Sequence, residues 1–232
     1  MRRIFVIICV LISILSFSQG KVELLNKGNE YFQEEDFEKA EEYYKKSLEV
    51  DNQYYKANLN TGHSLFRQAF SLIQEEDTTG LKECLESSEL FYRSSLEVTT
   101  NKNEKSESLY NLGNAHLLSQ NLEESIESYK KSLRLVPENM NAKHNLALAQ
   151  YLLNKKQKNQ ENQENSKEED NKEKKKDQNK EDKQKEKEEK KEELSKEEIE
   201  QILKALEREE KEVQEDLQKK KIIGKDNLLK DW

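Results

Sequence analysis

Hydrophobic and polar positions divide the chain into four stretches. Ile4 to Leu15 form one short apolar run. Between residues 21 and 154 apolar side chains return at helical spacing, clearest in Phe66, Ala69, Phe70 and Ile73 and again in Leu81, Cys84 and Leu85. Residues 155–193 hold no apolar side chain at all. From residue 194 the pattern resumes: Ile199, Ile202, Leu203, Leu206, Val213 and Leu217 follow one stripe, behind a Ser195-x-x-Glu198 capping box. The pattern predicts an all-α chain, with helices in the second stretch and an amphipathic helix over about 196–221.

The second stretch repeats itself. Tyr44-Lys45-Lys46-Ser47-Leu48 and Tyr129-Lys130-Lys131-Ser132-Leu133 are nearly identical, and Tyr92-Arg93-Ser94-Ser95-Leu96 matches both. Upstream of each stands a glycine with a polar neighbour: Gly28-Asn29, Gly62-His63 and Gly113-Asn114. In the first and third copies a small residue (Ala40, Ser125) follows the glycine, and the tyrosine comes four residues later. This spacing resembles the tetratricopeptide repeat, a helix–turn–helix unit of about 34 residues. The resemblance implies a helical-hairpin solenoid with units 21–54, 55–102 and 106–139. Gly and the small residue would let antiparallel helices approach, Tyr would fill the groove between units, and Ser47, Ser95 and Ser132 would give room to the next helix. Pro137, the single proline, falls where the pattern ends a helix.

The middle copy carries an insertion between Gly62 and Ser88. Lengthening both helices by about two turns keeps their faces in phase, and Asp77-Thr78-Thr79-Gly80 is the expected turn. Cys84 then falls on the apolar face of a taller hairpin, as a buried thiol. Residues 140–154, with Leu146, Leu148, Tyr151 and Leu152, read as a capping helix for the array.

Charge sharpens this division. The chain carries 40 Lys/Arg and 48 Asp/Glu, a net of −8, with bases interleaved among acids throughout, so no stripe can follow a phosphate backbone and nucleic acid is not an expected partner. Residues 155–193 are a low-complexity tract with nothing to bury, expected to be a solvated and partly helical tether. Residues 194–232 regain hydrophobes, ending on Trp232. The stripe suits a partner groove or a coiled coil, so Ile199, Ile202, Leu203, Leu206, Val213, Leu217 and Trp232 are the expected tail contact. The bland alternative is a helix folded back on the repeats.

Arg2 and Arg3 ahead of the apolar run, with Ser16 and Ser18 at the small-residue positions of a cleavage site, read as a signal peptide over 1–18. An uncleaved anchor is the alternative, although the run falls short of the ~17–20 residues that a span needs. The expected location is exported: periplasmic, or facing the periplasm at the inner membrane, with any membrane association indirect. Removal of the leader takes Cys9 with it and leaves Cys84 as the one cysteine, which excludes an intrachain disulfide and a cysteine zinc site.

No nucleophile–base order, Gly-rich phosphate loop or metal motif appears. We expect no catalytic residue, cofactor, metal or small-molecule substrate, and a protein partner instead. The family resemblance places a peptide groove on the first helix of each unit, here Asn29, Phe32, Leu59, His63, Phe66, Tyr110, Asn114 and Leu117. Chaperone-binding relatives clamp a C-terminal carboxylate there with basic residues. This sequence has Leu25, Glu107 and Asn111 at those places, while Asn29 and Asn60 match, so the clamp's charge is missing. The groove is expected to read an extended or helical peptide through mixed apolar and amide contacts.

A signal peptide, three repeats, a Lys/Glu tract and a tail containing Gln201-Ile202-Leu203, Ala205-Leu206-Glu207, Val213-Gln214 and Lys230-Asp231-Trp232 together resemble the BatC-like proteins of the Bacteroides aerotolerance (Bat) operons. That resemblance implies a scaffold in a cell-envelope stress complex, with membrane-anchored von Willebrand A-domain proteins as partners. The alternative function is a holdase-like chaperone or assembly factor for envelope proteins.

Overall fold

The computed structural model describes residues 20–174 and 198–206. The leader (1–18) and the positions Ser195, Val213, Leu217 and Trp232 lie outside the described residues. Among the described residues all regular structure is helical. Helix α1 covers 20–33; then come α2 (Phe37–Val50), α3 (Tyr55–Gln74), α4 (Thr78–Val98), α5 (Lys102–Leu118), α6 (Leu122–Leu135) and α7 (Met140–Lys174). Residues 198–206 form a further helical segment, α8. The chain divides into two compact units, Met1–Lys143 and His144–Trp232.

In the first unit each helix packs on its chain neighbour, α2 on α3, α3 on α4, α4 on α5 and α5 on α6. Three turns of the same form join the paired helices. Glu35, Glu76 and Gln120 each take a left-handed backbone, with φ of 61°, 57° and 60°. The following amide bonds back across the turn in every copy: Asp36 N–H to the Tyr31 carbonyl (3.0 Å), Asp77 N–H to Leu72 (3.1 Å) and Asn121 N–H to His116 (2.9 Å). Glu35, Glu76 and Gln120 donate to Phe32, Ile73 and Leu117. These are Schellman caps, which satisfy the last carbonyls of the first helix. The residue that closes each cap begins the next helix; Asp36 Oδ1 accepts from Lys39 N–H, and the Asp77 side chain accepts from Thr79 and Gly80 N–H. The turn in the long hairpin therefore lies at 75–77, ahead of the expected 77–80, because Asp77 caps α4 instead of sitting inside a loop. Helices α3 and α4, of 20 and 21 residues against 14 for α2 and for α6, absorb the insertion.

Tyr44, Tyr92 and Tyr129 each lie against the glycine of their own unit, and Tyr44 also meets the next unit, in a core cluster with Ala57 of α3. A Cβ at Gly28, Gly62 or Gly113 would stand 2.5, 2.7 or 2.6 Å from the Tyr44, Tyr92 or Tyr129 ring. All three rings are fully buried. Ser47, Ser95 and Ser132 are fully buried, as small residues at helix contacts, and each also makes a hydrogen bond. Ser47 donates to the Lys21 carbonyl (2.7 Å) and Ser132 to the Ser106 carbonyl (2.8 Å), so both tie the two helices of one unit together. Only Ser95 reaches the following unit, 2.7 Å from Ser108 Oγ. Ser125 of α6 donates to the Gly113 carbonyl of α5 (3.0 Å).

Cys84 is half-buried, not enclosed as expected; burial, followed by the charges of Glu41, Glu83, Asp77 and Glu38, raises its pKa and keeps it a thiol.

In the second unit α7 continues without a break from the expected cap across residue 155 as far as Lys174. Lys, Glu and Gln are good helix formers, so the loss of apolar residues there does not require the backbone to change. Asn145, Ala149 and Leu152 are buried, Leu146 and Leu148 half-buried, and Tyr151 exposed. Glu198 of α8 pairs with Lys155 of α7 (2.9 Å), and Ile202, Ala205 and Leu206 are buried.

Candidate peptide-binding site

The first helices of successive units are linked side by side through polar side chains. Asn60 of α3 donates to Asn29 Oδ1 of α1 (3.0 Å). Tyr55 of α3 places its hydroxyl 2.9 Å from Glu107 Oε2 and 3.0 Å from the Glu104 carbonyl, both of α5. Burial, then the Glu107 charge, raises the Tyr55 phenol, so it remains a donor. Glu107 keeps solvent access as a residue, yet crowding around its carboxyl, together with the Glu104 charge, pushes its pKa up against the opposing Tyr55 hydrogen bond and Lys56.

The polar residue after each glycine receives the tyrosine hydroxyl. Tyr44 donates to Asn29 Oδ1 (2.8 Å) and Tyr129 to Asn114 Oδ1 (2.7 Å), and the Tyr92 hydroxyl lies 3.1 Å from His63 Nδ1. Burial raises the phenols of Tyr44 and Tyr92 and lowers His63 to about 4, so His63 is neutral at pH 7 with Nδ1 free to accept from Tyr92.

The eight expected groove residues therefore separate into two groups. Asn29, Phe32, His63 and Tyr110 are half-buried and keep a face toward solvent. Leu59, Phe66 and Asn114 are buried and offer little surface, and Leu117 is wholly enclosed. Phe32 stands edge-on to Phe37 (5.2 Å), and Phe66 edge-on to Phe70 (5.3 Å). The Tyr110 hydroxyl is buried without a hydrogen bond among the described residues. Asn60, Tyr55 and Glu107 join this face although the expected set omitted them. The signal for Asn60 was present, since it matches an amide position of the family; the Tyr55–Glu107 pair, 52 positions apart, left no local trace.

The chemistry of the face opposes a carboxylate clamp. Leu25 belongs to the core with Ala40, Tyr44 and Ala57, Glu107 supplies a carboxyl where a cation would be needed, and Asn111 donates to the carbonyl of Glu107 in its own helix (2.9 Å). Of the histidines, His116 is buried between Arg93 Nη2 (3.3 Å) and Glu89 Oε1 (3.2 Å), and His144 is exposed. Among the described residues no three His, Cys, Asp or Glu side chains converge on a metal position. Among them, too, no helix is long and apolar enough to cross a membrane.

Residues 22–54 and 106–139 match the tetratricopeptide repeat family model. The long middle hairpin lies between the two matches. No curated protein matches the chain significantly. Solved structures similar to it include the first TPR of Spaghetti (RPAP3) bound to the HSP90 peptide SRMEEVD, at 23% identity over 59% of this chain and 94% of that one, with a TM-score of 0.49. The first TPR domain of the human RPAP3 protein gives 20%, 59%, 94% and 0.49 in the same order. The N-terminal domain of stress-induced protein-1 from C. elegans gives 16%, 58%, 97% and 0.48. The sequence match and the thrice-repeated Gly–Tyr packing together establish that this chain carries tetratricopeptide repeats in an all-helical fold.

Proposed function

We propose that the protein is an exported scaffold that binds proteins in the cell envelope, within a complex of the Bat type, and that it performs no catalysis. The observation that carries the binding reading is the polar ladder across the first helices. Asn29, Asn60 and His63 are held in place by hydrogen bonds to one another and to buried tyrosines, beside half-buried Phe32 and Tyr110. A fixed surface of amides and aromatic edges meets an extended or helical peptide without paying to order its own side chains. Export rests on Arg2, Arg3, the apolar run and Ser16/Ser18. The membrane-anchored von Willebrand A-domain partner rests on the resemblance of the tail.

Affinity purification of the full chain from envelope membranes tests this. Stoichiometric recovery of a von Willebrand A-domain protein, lost on replacing Asn60 and His63 by alanine, is the expected result. Recovery of many substoichiometric clients, with broad suppression of their aggregation, would replace the scaffold by a holdase. Retention of the leader in the mature protein, read by intact mass, would make it an anchored rather than a released protein.

A further inference from the structure

The hydrophobic stripe after residue 194 is the sequence feature that the repeats do not absorb. Within the second unit its first turns are already occupied. Glu198 of α8 has a nearly buried carboxylate 2.9 Å from Lys155 Nζ. One and two turns further on, Ile202 and Leu206 fall on the same side of the helix, with Ala205 beside them, and all three are buried. Ile199 and Leu203 are half-buried, while Glu200, Gln201 and Lys204 are exposed. Over 198–206 the helix thus has one covered face and one wet face, with Glu198 paired to a charge on α7.

We propose that residues 198–206 are a strap docked on their own chain, so that a partner reaches Ile202 and Leu206 only by displacing it. The inference rests on the reading of the tail as a contact segment and adds that the contact is closed in the free protein. Two large apolar side chains, one alanine and one ion pair are a small set of contacts, and covalent attachment supplies the remainder by keeping the strap at high local concentration. Such a balance permits exchange: a partner that offers more apolar area than the docked position takes the stripe. The Lys155 ammonium meets the Glu198 carboxylate and so holds this part of the strap in place.

Hydrogen exchange on the full-length chain tests the strap directly. Amides of 198–206 are expected to be protected in the unmodified protein. Glu198→Lys should speed their exchange about three- to fivefold, the upper end of what an ion pair with one exposed partner contributes, and the double exchange Lys155→Glu with Glu198→Lys should restore protection. Ile202→Asp should speed it by at least about tenfold, through loss of a buried isoleucine. A labelled synthetic peptide of residues 194–221, added in trans, should bind full-length Ile202→Asp about tenfold more tightly than the parent, whose site is filled. Random-coil exchange of 198–206 in the parent, failure of the charge swap to rescue, or equal peptide binding to both chains would each overturn the strap. None of these measurements involves an outside partner. A protected strap combined with unaltered partner recovery after Leu203→Asp and Leu206→Asp would instead remove the tail-contact reading.

Discussion

The Tyr92 hydroxyl lies 3.1 Å from His63 Nδ1, and the two rings meet edge to face with centroids 5.5 Å apart. This is the middle copy of a bond that the other two units make to asparagine, from Tyr44 to Asn29 and from Tyr129 to Asn114. All three fix a phenol pressed on a glycine. The histidine alone makes its copy sensitive to acid.

Burial lowers His63 from 6.5 to about 4. The unfolded chain therefore binds the proton more readily than the folded one, and stability is complete above about pH 6.5 and declines as pH falls towards about 4. The loss is at most about 3 kcal/mol at ~1.36 kcal/mol per pK unit, reduced by the solvent that reaches the ring. His63→Asn should leave stability at pH 7 within about 1 kcal/mol and flatten this part of the pH profile. Urea unfolding of both proteins between pH 4 and 7 checks it; parallel profiles would rule His63 out as the source.

The glycines under the tyrosines should resist substitution. A Cβ at Gly62 or Gly113 meets the tyrosine ring well inside contact distance, and overpacking of a helix interface costs about 1–3 kcal/mol. That outweighs the gain of about 1 kcal/mol that alanine brings to a helix. Gly20, whose Cβ would meet nothing within 4 Å, is the control. Thermal melts should place Gly62→Ala and Gly113→Ala below the parent and Gly20→Ala level with it or above.

The left-handed turn residues should behave in the opposite way. Glu35, Glu76 and Gln120 hold positive φ with a side chain present, a conformation that disfavours L-residues by about 1–2 kcal/mol. Gln120→Gly, and likewise Glu76→Gly, should stabilise the repeats by about 0.5–1 kcal/mol once the added flexibility of the unfolded chain is subtracted. A lower urea midpoint for these variants would contradict the cap assignment.

Peptides ending in an acidic carboxylate should not bind. The first clamp position is occupied by core Leu25, and a later one by Glu107 with its carboxyl held by Tyr55. Calorimetry with the peptide SRMEEVD should give a Kd weaker than about 1 mM, the range left when no charge-assisted pair forms. Micromolar binding would mean that cations from elsewhere complete a clamp.

Much of this protein is written in local spacing. The pairing of a glycine with a later tyrosine, repeated in three copies, fixes helical hairpins because a side chain at any of those glycines would collide with the ring sixteen or thirty residues later. The polar residue after each glycine marks, in the same short motif, the acceptor that a buried phenol needs. The extra residues of the middle copy amount to whole turns, so two longer helices keep their faces without any change of pattern. Spacing could not reveal which members of the first-helix set stay exposed. Leu59 and Leu117 share the helical register of Asn29 and His63, and only the packing of neighbouring helices decides that they are covered. Nor could it reveal the Tyr55–Glu107 pair or the ion pair of Lys155 with Glu198, whose partners are distant in the chain and carry no common periodicity. Those contacts depend on where the packed helices bring side chains together, a property of the tertiary structure alone.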